Sequence, residues 1–140
     1  MKEALQSVEA YENFVYSIAE RHPEILTSTL VVVRRGPYHC QLQGSLHFDH
    51  NIVLRVYERL DFIESKIVYY SYEVYQNESI LYWYDPQPHP TDVTLASSHP
   101  HHKHIHPDIK HHRIPAPELS FDQPNLPFLI KEIAENLLND

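Results

Sequence analysis

Tyr38-His39-Cys40-Gln41-Leu42-Gln43-Gly44-Ser45-Leu46-His47-Phe48 alternates between apolar and polar side chains. Tyr38, Cys40, Leu42, Leu46 and Phe48 fall on one side, and His39, Gln41, Gln43, Ser45 and His47 on the other. A period of two over this length belongs to a strand with one buried and one open face, as in an antiparallel sheet. The lone cysteine, Cys40, lies on the apolar side and reads as a small core residue rather than a nucleophile.

Working outward, residues 28–35 are β-branched and apolar up to the turn signal Arg34-Arg35-Gly36-Pro37. Asp49-His50-Asn51 makes the next turn, and residues 52–62 repeat the alternation with one exception. Ile52, Leu54, Val56, Leu60 and Phe62 share a face, and Glu58 sits among them; Arg55, Tyr57 and Arg59 lie opposite. Residues 66–76 form a tyrosine-rich strand in which Tyr70 and Tyr72 share a face with Val68 and Val74, and Tyr69 and Tyr75 lie opposite. Gln76-Asn77-Glu78 turns into a further strand over 79–85, completing a meander.

Helical spacing of Leu5, Val8, Phe14 or Val15, and Ile18 predicts an amphipathic helix over 3–20, stopped at Arg21-His22-Pro23. Asn125 is placed to cap a last helix over 126–138. Nine of the eleven prolines lie from Pro86 onward, which predicts a long irregular segment before that helix. The expected fold is therefore α+β in one domain. It has an N-terminal helix (1–22), an antiparallel sheet of about five strands (27–85), a His/Pro-rich loop crossing the sheet (86–124) and a C-terminal helix (125–140).

The formal charge of -8 argues against long-range, nonspecific attraction to nucleic acid but leaves room for a local basic site. One cysteine excludes an internal disulfide framework and fits a reducing cytoplasm. No apolar run reaches the ~18–20 residues needed to span a bilayer. The expected setting is cytoplasmic, without membrane attachment, and no residue pattern specifies an oligomeric state.

The residues that carry chemistry cluster late in the chain. His99 to His112 holds seven of the twelve histidines, including His101-His102-Lys103-His104. Imidazoles beside a lysine suit proton transfer and phosphate stabilisation, or metal binding. As a metal-free nuclease site, the imidazoles take the 2′-hydroxyl proton and protonate the departing 5′-oxygen, and cations stabilise the phosphorane. A carboxylate on an apolar strand face, Glu58, must be paired, protonated or at a cleft; burial would raise its pKa toward that of a general base. The bland alternative is a β-bulge that returns it to solvent. Tyrosines beside Arg55 and Arg59 suit stacking on unpaired bases. No cysteine pair or helical His-Glu-x-x-His supports a dedicated metal, so neither a metal nor another cofactor is expected.

Gly44-Ser45-Leu46-His47-Phe48-Asp49, then Glu58, the tyrosine strand, Tyr84-Asp85, Pro88-His89-Pro90 and Pro100-His101-His102-Lys103-His104 resemble, in that order, the TumE-type toxins of bacterial and archaeal toxin–antitoxin pairs. The similarity runs over about residues 40–137. It implies a small cytoplasmic toxin, neutralised by a cognate antitoxin that is often a DNA-binding helix-turn-helix protein. It also implies kinship to compact ribonucleases with a sheet-based site. The matching positions are Glu58, Tyr72, Asp85, His89, His101, His102, Lys103 and His104. Trp83 stands where the family usually has an arginine, Pro88-His89 where it usually has two histidines, and no basic residue flanks Tyr70-Ser71-Tyr72.

The leading expectation is a metal-independent endoribonuclease. Glu58, His101, Lys103 and His104 are its catalytic candidates; Arg55, Arg59, Tyr72, Asp85, His89 and His102 are its substrate-binding candidates. The alternatives are a noncatalytic His-rich module that binds metal or protein, and a metal-dependent DNA nuclease. A catalytic site requires Glu58, His101, Lys103 and His104 to converge. A metal site requires three imidazole nitrogens around a point about 2.1 Å from each. A structural loop leaves histidines on backbone carbonyls.

Overall fold

A computed structural model describes residues 2–139. The chain is α+β, with an eight-stranded antiparallel sheet backed on one face by helices from both ends. Its strands are β1 (Thr27–Ser28), β2 (Val31–Arg34), β3 (His39–His47), β4 (Ile52–Asp61), β5 (Lys66–Gln76), β6 (Ser79–Asp85), β7 (His102–His104) and β8 (Arg113–Pro115). β3 to β8 run in chain order across the sheet, and β1 and β2 pair with successive lengths of β3.

The strand count is the main departure from the sequence expectation of about five. Residues 86–124 are largely irregular, as expected, and return across to β5, where the Phe121 carbonyl accepts from the Ile67 N–H at 2.8 Å. Two short stretches of them, however, extend the sheet. β7 pairs with β6 and β8 with β7, and residues 93–98 form a short 3-10 helix. Prolines at the ends of such short strands remove no hydrogen bond the ladder needs, which is how a proline-rich segment still adds to the edge.

The N-terminal helix is also divided. A 3-10 turn (Lys2–Leu5) precedes α1 (Val8–Tyr16), which begins where the Ser7 hydroxyl accepts from the Ala10 N–H at 3.0 Å. It ends where the Ser17 hydroxyl bonds back to the Asn13 carbonyl at 2.6 Å, and α2 (Ile18–Arg21) is a further turn. The last helix, α3, spans Leu126–Asn136. Asn125 stands at its start, but its side chain does not cap it. It binds the Tyr72 hydroxyl at 3.0 Å and the Ser120 backbone on both sides, and is buried there.

Alternation along the strands sorts the sheet into two faces. Cys40, Leu42, Leu46, Leu54, Val56, Tyr70, Tyr72 and Val74 are buried against α1 and α3, as expected, and Glu58 and Tyr84 are buried with them. Tyr38 and Val68 depart from that reading and are about half exposed. For Val68 the reason is an irregularity in the β4–β5 pairing. Arg59 faces Tyr69 but Leu60 faces Ile67, so Val68 is the extra residue and Ile67 takes the core position. Gly44 adopts φ +133°, and a Cβ there would lie 2.4 Å from the Thr29 carbonyl oxygen. Only glycine lets the kinked segment between β1 and β2 pass so close to β3.

Candidate functional site

The pairing of β7 with β6 sets the site. Tyr84 faces Lys103, Trp83 faces His104, and Asp85 faces His102. Neighbouring strand residues point to opposite sides, so the His-His-Lys-His run is split between the two faces.

Lys103 points to the helix side. Its ammonium donates to the Glu132 carboxylate of α3 at 2.9 Å and stands 4.2 Å from the Tyr82 ring centroid. The Tyr84 hydroxyl donates to the same carboxylate. Lys103 is thus a partnered cation that ties α3 to the sheet. His101 stacks on Tyr70 and packs at a tilt against Phe121, and its Nδ1 is 2.5 Å from the Tyr70 hydroxyl. Burial, then the neighbouring His102 and His99, lowers its pKa.

Glu58 has no exposed surface, so the bulge that would return it to solvent does not occur there. Its carboxylate accepts hydrogen bonds from the hydroxyls of Tyr11 on α1 and Tyr72 on β5. Tyr72 in turn accepts from Asn125 at the start of α3. Burial raises the Glu58 pKa to about 7 against the lowering effect of the two phenols. Glu58 and Tyr72 therefore form an interior polar network that joins both helices to the sheet.

The opposite face gathers the other candidates. The Nε2 atoms of His102 and His104 lie 3.1 Å apart. His102 Nε2 is 3.1 Å from Asp85 Oδ1, and His104 Nε2 is 3.2 Å from Asp85 Oδ2. Each ring's other nitrogen is within reach of a main-chain carbonyl: His102 Nδ1 is 3.1 Å from Pro100 O, and His104 Nδ1 is 2.9 Å from Ile109 O. A carbonyl only accepts, so both Nδ1 atoms carry hydrogen. The carboxylate is fixed as well, by the Trp83 indole N–H at 3.0 Å and the Gln87 backbone N–H at 2.9 Å. Burial would raise the Asp85 pKa, but the hydrogen bonds from His102, His104, Gln87 and Trp83 outweigh it and hold the carboxyl well below its ordinary range.

Trp83 stacks on the His104 ring at 3.9 Å. His89 packs edge-on to His102 at 5.0 Å, and its Nε2 is 3.2 Å from an Arg113 guanidinium nitrogen. Burial, then the charges of Arg113 and His102, lowers the His89 pKa. His102 and His104 are buried, whereas Asp85, His89 and Arg113 are each partly open and form the cluster's edge to solvent.

The same face continues across β5 and β4. The Arg59 guanidinium lies over the Tyr69 ring at 5.0 Å and Arg55 over Tyr75 at 4.8 Å, with Tyr57 edge-on to Tyr69. Arg55 also lies 3.9 Å from Glu73. The helices cover only the other face, so this surface of tyrosines and arginines stays accessible.

Of the ten sequence candidates, Asp85, His89, His102 and His104 come together, and Arg55 and Arg59 share their face. Glu58, Tyr72, His101 and Lys103 do not converge with them. Arg113, absent from the sequence candidates, joins the cluster because β8 sets it opposite His104. Nothing local marks it out. The ring-to-carbonyl bonds expected of a structural loop occur at His102, His104, His106 and His112. At His102 and His104 the second ring nitrogen adds a convergent site.

The chain is thus a small antiparallel-sheet protein that carries a His–Asp cluster at one end of an open, aromatic and cationic face. The family model described as toxin TumE matches residues 15–137, and the chain belongs to that toxin family, whose members act in toxin–antitoxin pairs and imply an antitoxin partner. No curated protein and no solved structure matches it significantly. Among the described residues, no helix is long and apolar enough to cross a membrane.

Proposed function

We propose that this toxin is a metal-independent endoribonuclease that works in the cytoplasm on RNA held across the open sheet face. We further propose that its antitoxin is a helix-turn-helix protein, as the family resemblance implies. The observation that carries the nuclease reading is the meeting of three imidazoles, His89, His102 and His104, around one carboxylate, Asp85, beside Arg113.

Internal cleavage of RNA requires a base for the 2′-hydroxyl proton and an acid for the departing 5′-oxygen. His89, partly open and with its pKa lowered, is neutral near pH 7 and takes the proton. An imidazolium shared between His102 and His104, stabilised by the ionised Asp85, returns one to the leaving oxygen. The 2′-oxygen forms a bond to phosphorus as the 5′-oxygen bond breaks, which leaves a 2′,3′-cyclic phosphate. Arg113 supports the charge on the phosphorane. Tyr57, Tyr69, Tyr75 and Trp83 offer rings for unpaired bases, and Arg55 and Arg59 meet the backbone. DNA lacks the 2′-hydroxyl and is not a substrate in this scheme.

The test is incubation of a mixed RNA pool in excess EDTA with the wild-type protein and with His89→Ala, His104→Ala and His101→Ala. Cleavage to cyclic-phosphate ends, reduced about 100-fold or more in the first two variants, is expected. His101→Ala retains it, since that ring faces the core side. Intact RNA from a folded wild-type protein, or cleavage only once Mg²⁺ or Zn²⁺ is supplied, would overturn the scheme.

A further inference from the structure

We propose that Asp85, His102 and His104 bind one divalent transition-metal ion of the Zn²⁺ type, and that the bound ion silences the nuclease. The silencing rests on the functional reading above; the binding does not.

With both Nδ1–H groups directed at Pro100 and Ile109, it is the Nε2 atoms that face inward, toward each other and toward the Asp85 oxygens, and once their protons are removed they present lone pairs there. Four acceptor atoms facing one another repel unless a cation stands among them. A proton is one such cation, as in the imidazolium above. A metal ion is the other.

The spacing suits a metal. Two donors 3.1–3.2 Å apart, each about 2.05 Å from a shared ion, subtend an angle of about 100° at it, between octahedral and tetrahedral values. Each carboxylate oxygen faces one ring, so Asp85 can bind through either or both. Two imidazoles with one carboxylate favour zinc, cobalt, nickel or iron over the all-oxygen preference of calcium and magnesium. The outer contacts are those that metal ligands usually have. A backbone carbonyl fixes each ring's tautomer, and the Trp83 indole and Gln87 amide orient the carboxylate. An ion bound here occupies the Nε2 atoms that hold the transferable proton, so acid catalysis stops.

Protein stripped with EDTA is titrated with Co²⁺ and followed by its visible d–d absorption, with Zn²⁺ as competitor. A single saturable site is expected, with bands displaced by Zn²⁺ and lost in His104→Ala and in Asp85→Asn. The asparagine keeps the carboxylate's shape, and circular dichroism confirms that both variants fold. His111→Ala, which removes an exposed imidazole paired with Asp108, leaves the bands unchanged. No bands, or bands that survive both site variants, would overturn the binding.

RNA cleavage is followed in the same titration and is expected to fall as the site fills. Binding without cleavage in EDTA would sink the nuclease scheme and leave the metal site standing. Cleavage in EDTA without binding would do the reverse. Cleavage that appears only as the site fills would overturn the silencing and the metal-free scheme together.

Discussion

Replacing Glu58 with glutamine tests whether this carboxyl serves the fold rather than the substrate. In the folded chain its pKa is raised from 4.5 to about 7, because burial costs the charged form more than the two phenol donors return. The folded state therefore holds the proton more tightly than the unfolded state does. The stabilisation is complete below pH 4.5 and is lost as the pH rises through 7. The loss is about 3 kcal/mol, a large share of a small domain's stability. Glutamine is neutral throughout; its carbonyl accepts from one phenol and its amide donates to the other. Urea unfolding of both proteins from pH 4.5 to 8 would show wild type losing about 3 kcal/mol relative to Glu58→Gln across this window. Parallel curves would refute the reasoning. Metal-free RNA cleavage provides a second readout, and the variant should retain it. A folded Glu58→Gln that has lost cleavage would mean that the carboxyl reaches substrate.

Lys103→Met removes the ammonium from Glu132 while filling the space between Tyr82 and Tyr84. It should cost about 2 kcal/mol in thermal or urea unfolding without abolishing cleavage by the folded protein. Gly44→Ala drives a Cβ to 2.4 Å from the Thr29 carbonyl oxygen at an unfavourable φ. It should destabilise by about 2 kcal/mol or more, with amide exchange rising first in β1 and β2. Arg55→Ala and Arg59→Ala, made in a His104→Ala background, should weaken single-stranded RNA binding measured by fluorescence anisotropy. Each should lower the slope of log affinity against log salt by about 0.7; unchanged slopes would place the RNA elsewhere.

The candidate site was only partly legible in the sequence because its alternation was hidden. Trp83-x-Asp85 and His102-x-His104 each have a period of two, which would have separated His102 and His104 from His101 and Lys103. That period carries meaning only in a strand, and the prolines around the histidines argued for a loop. Glu58 was legible as an anomaly on an apolar face, but its partners lie 47 and 14 residues away, on α1 and β5. Asn125 was legible as a helix start, yet Tyr72 and Ser120 claim its side chain. Arg113 had no local signature at all; its place comes from pairing across a turn with β7.

Sequence alone determined the central strands, their buried faces, the core position of Cys40, the terminal helices and the family. These follow from local periodicity and from an ordered run of motifs, both of which can be read without knowing what lies alongside. Tertiary structure decided that residues 102–104 and 113–115 complete the sheet, and so which face each histidine takes. The free backbone groups at the β6 edge accept any extended segment with compatible turns, and no residue pattern in residues 86–124 announces that pairing. The Asp85–His102–His104 cluster is a product of that register. A shift by one residue would turn His101 and Lys103 toward Asp85 and bury His102 and His104 against the helices.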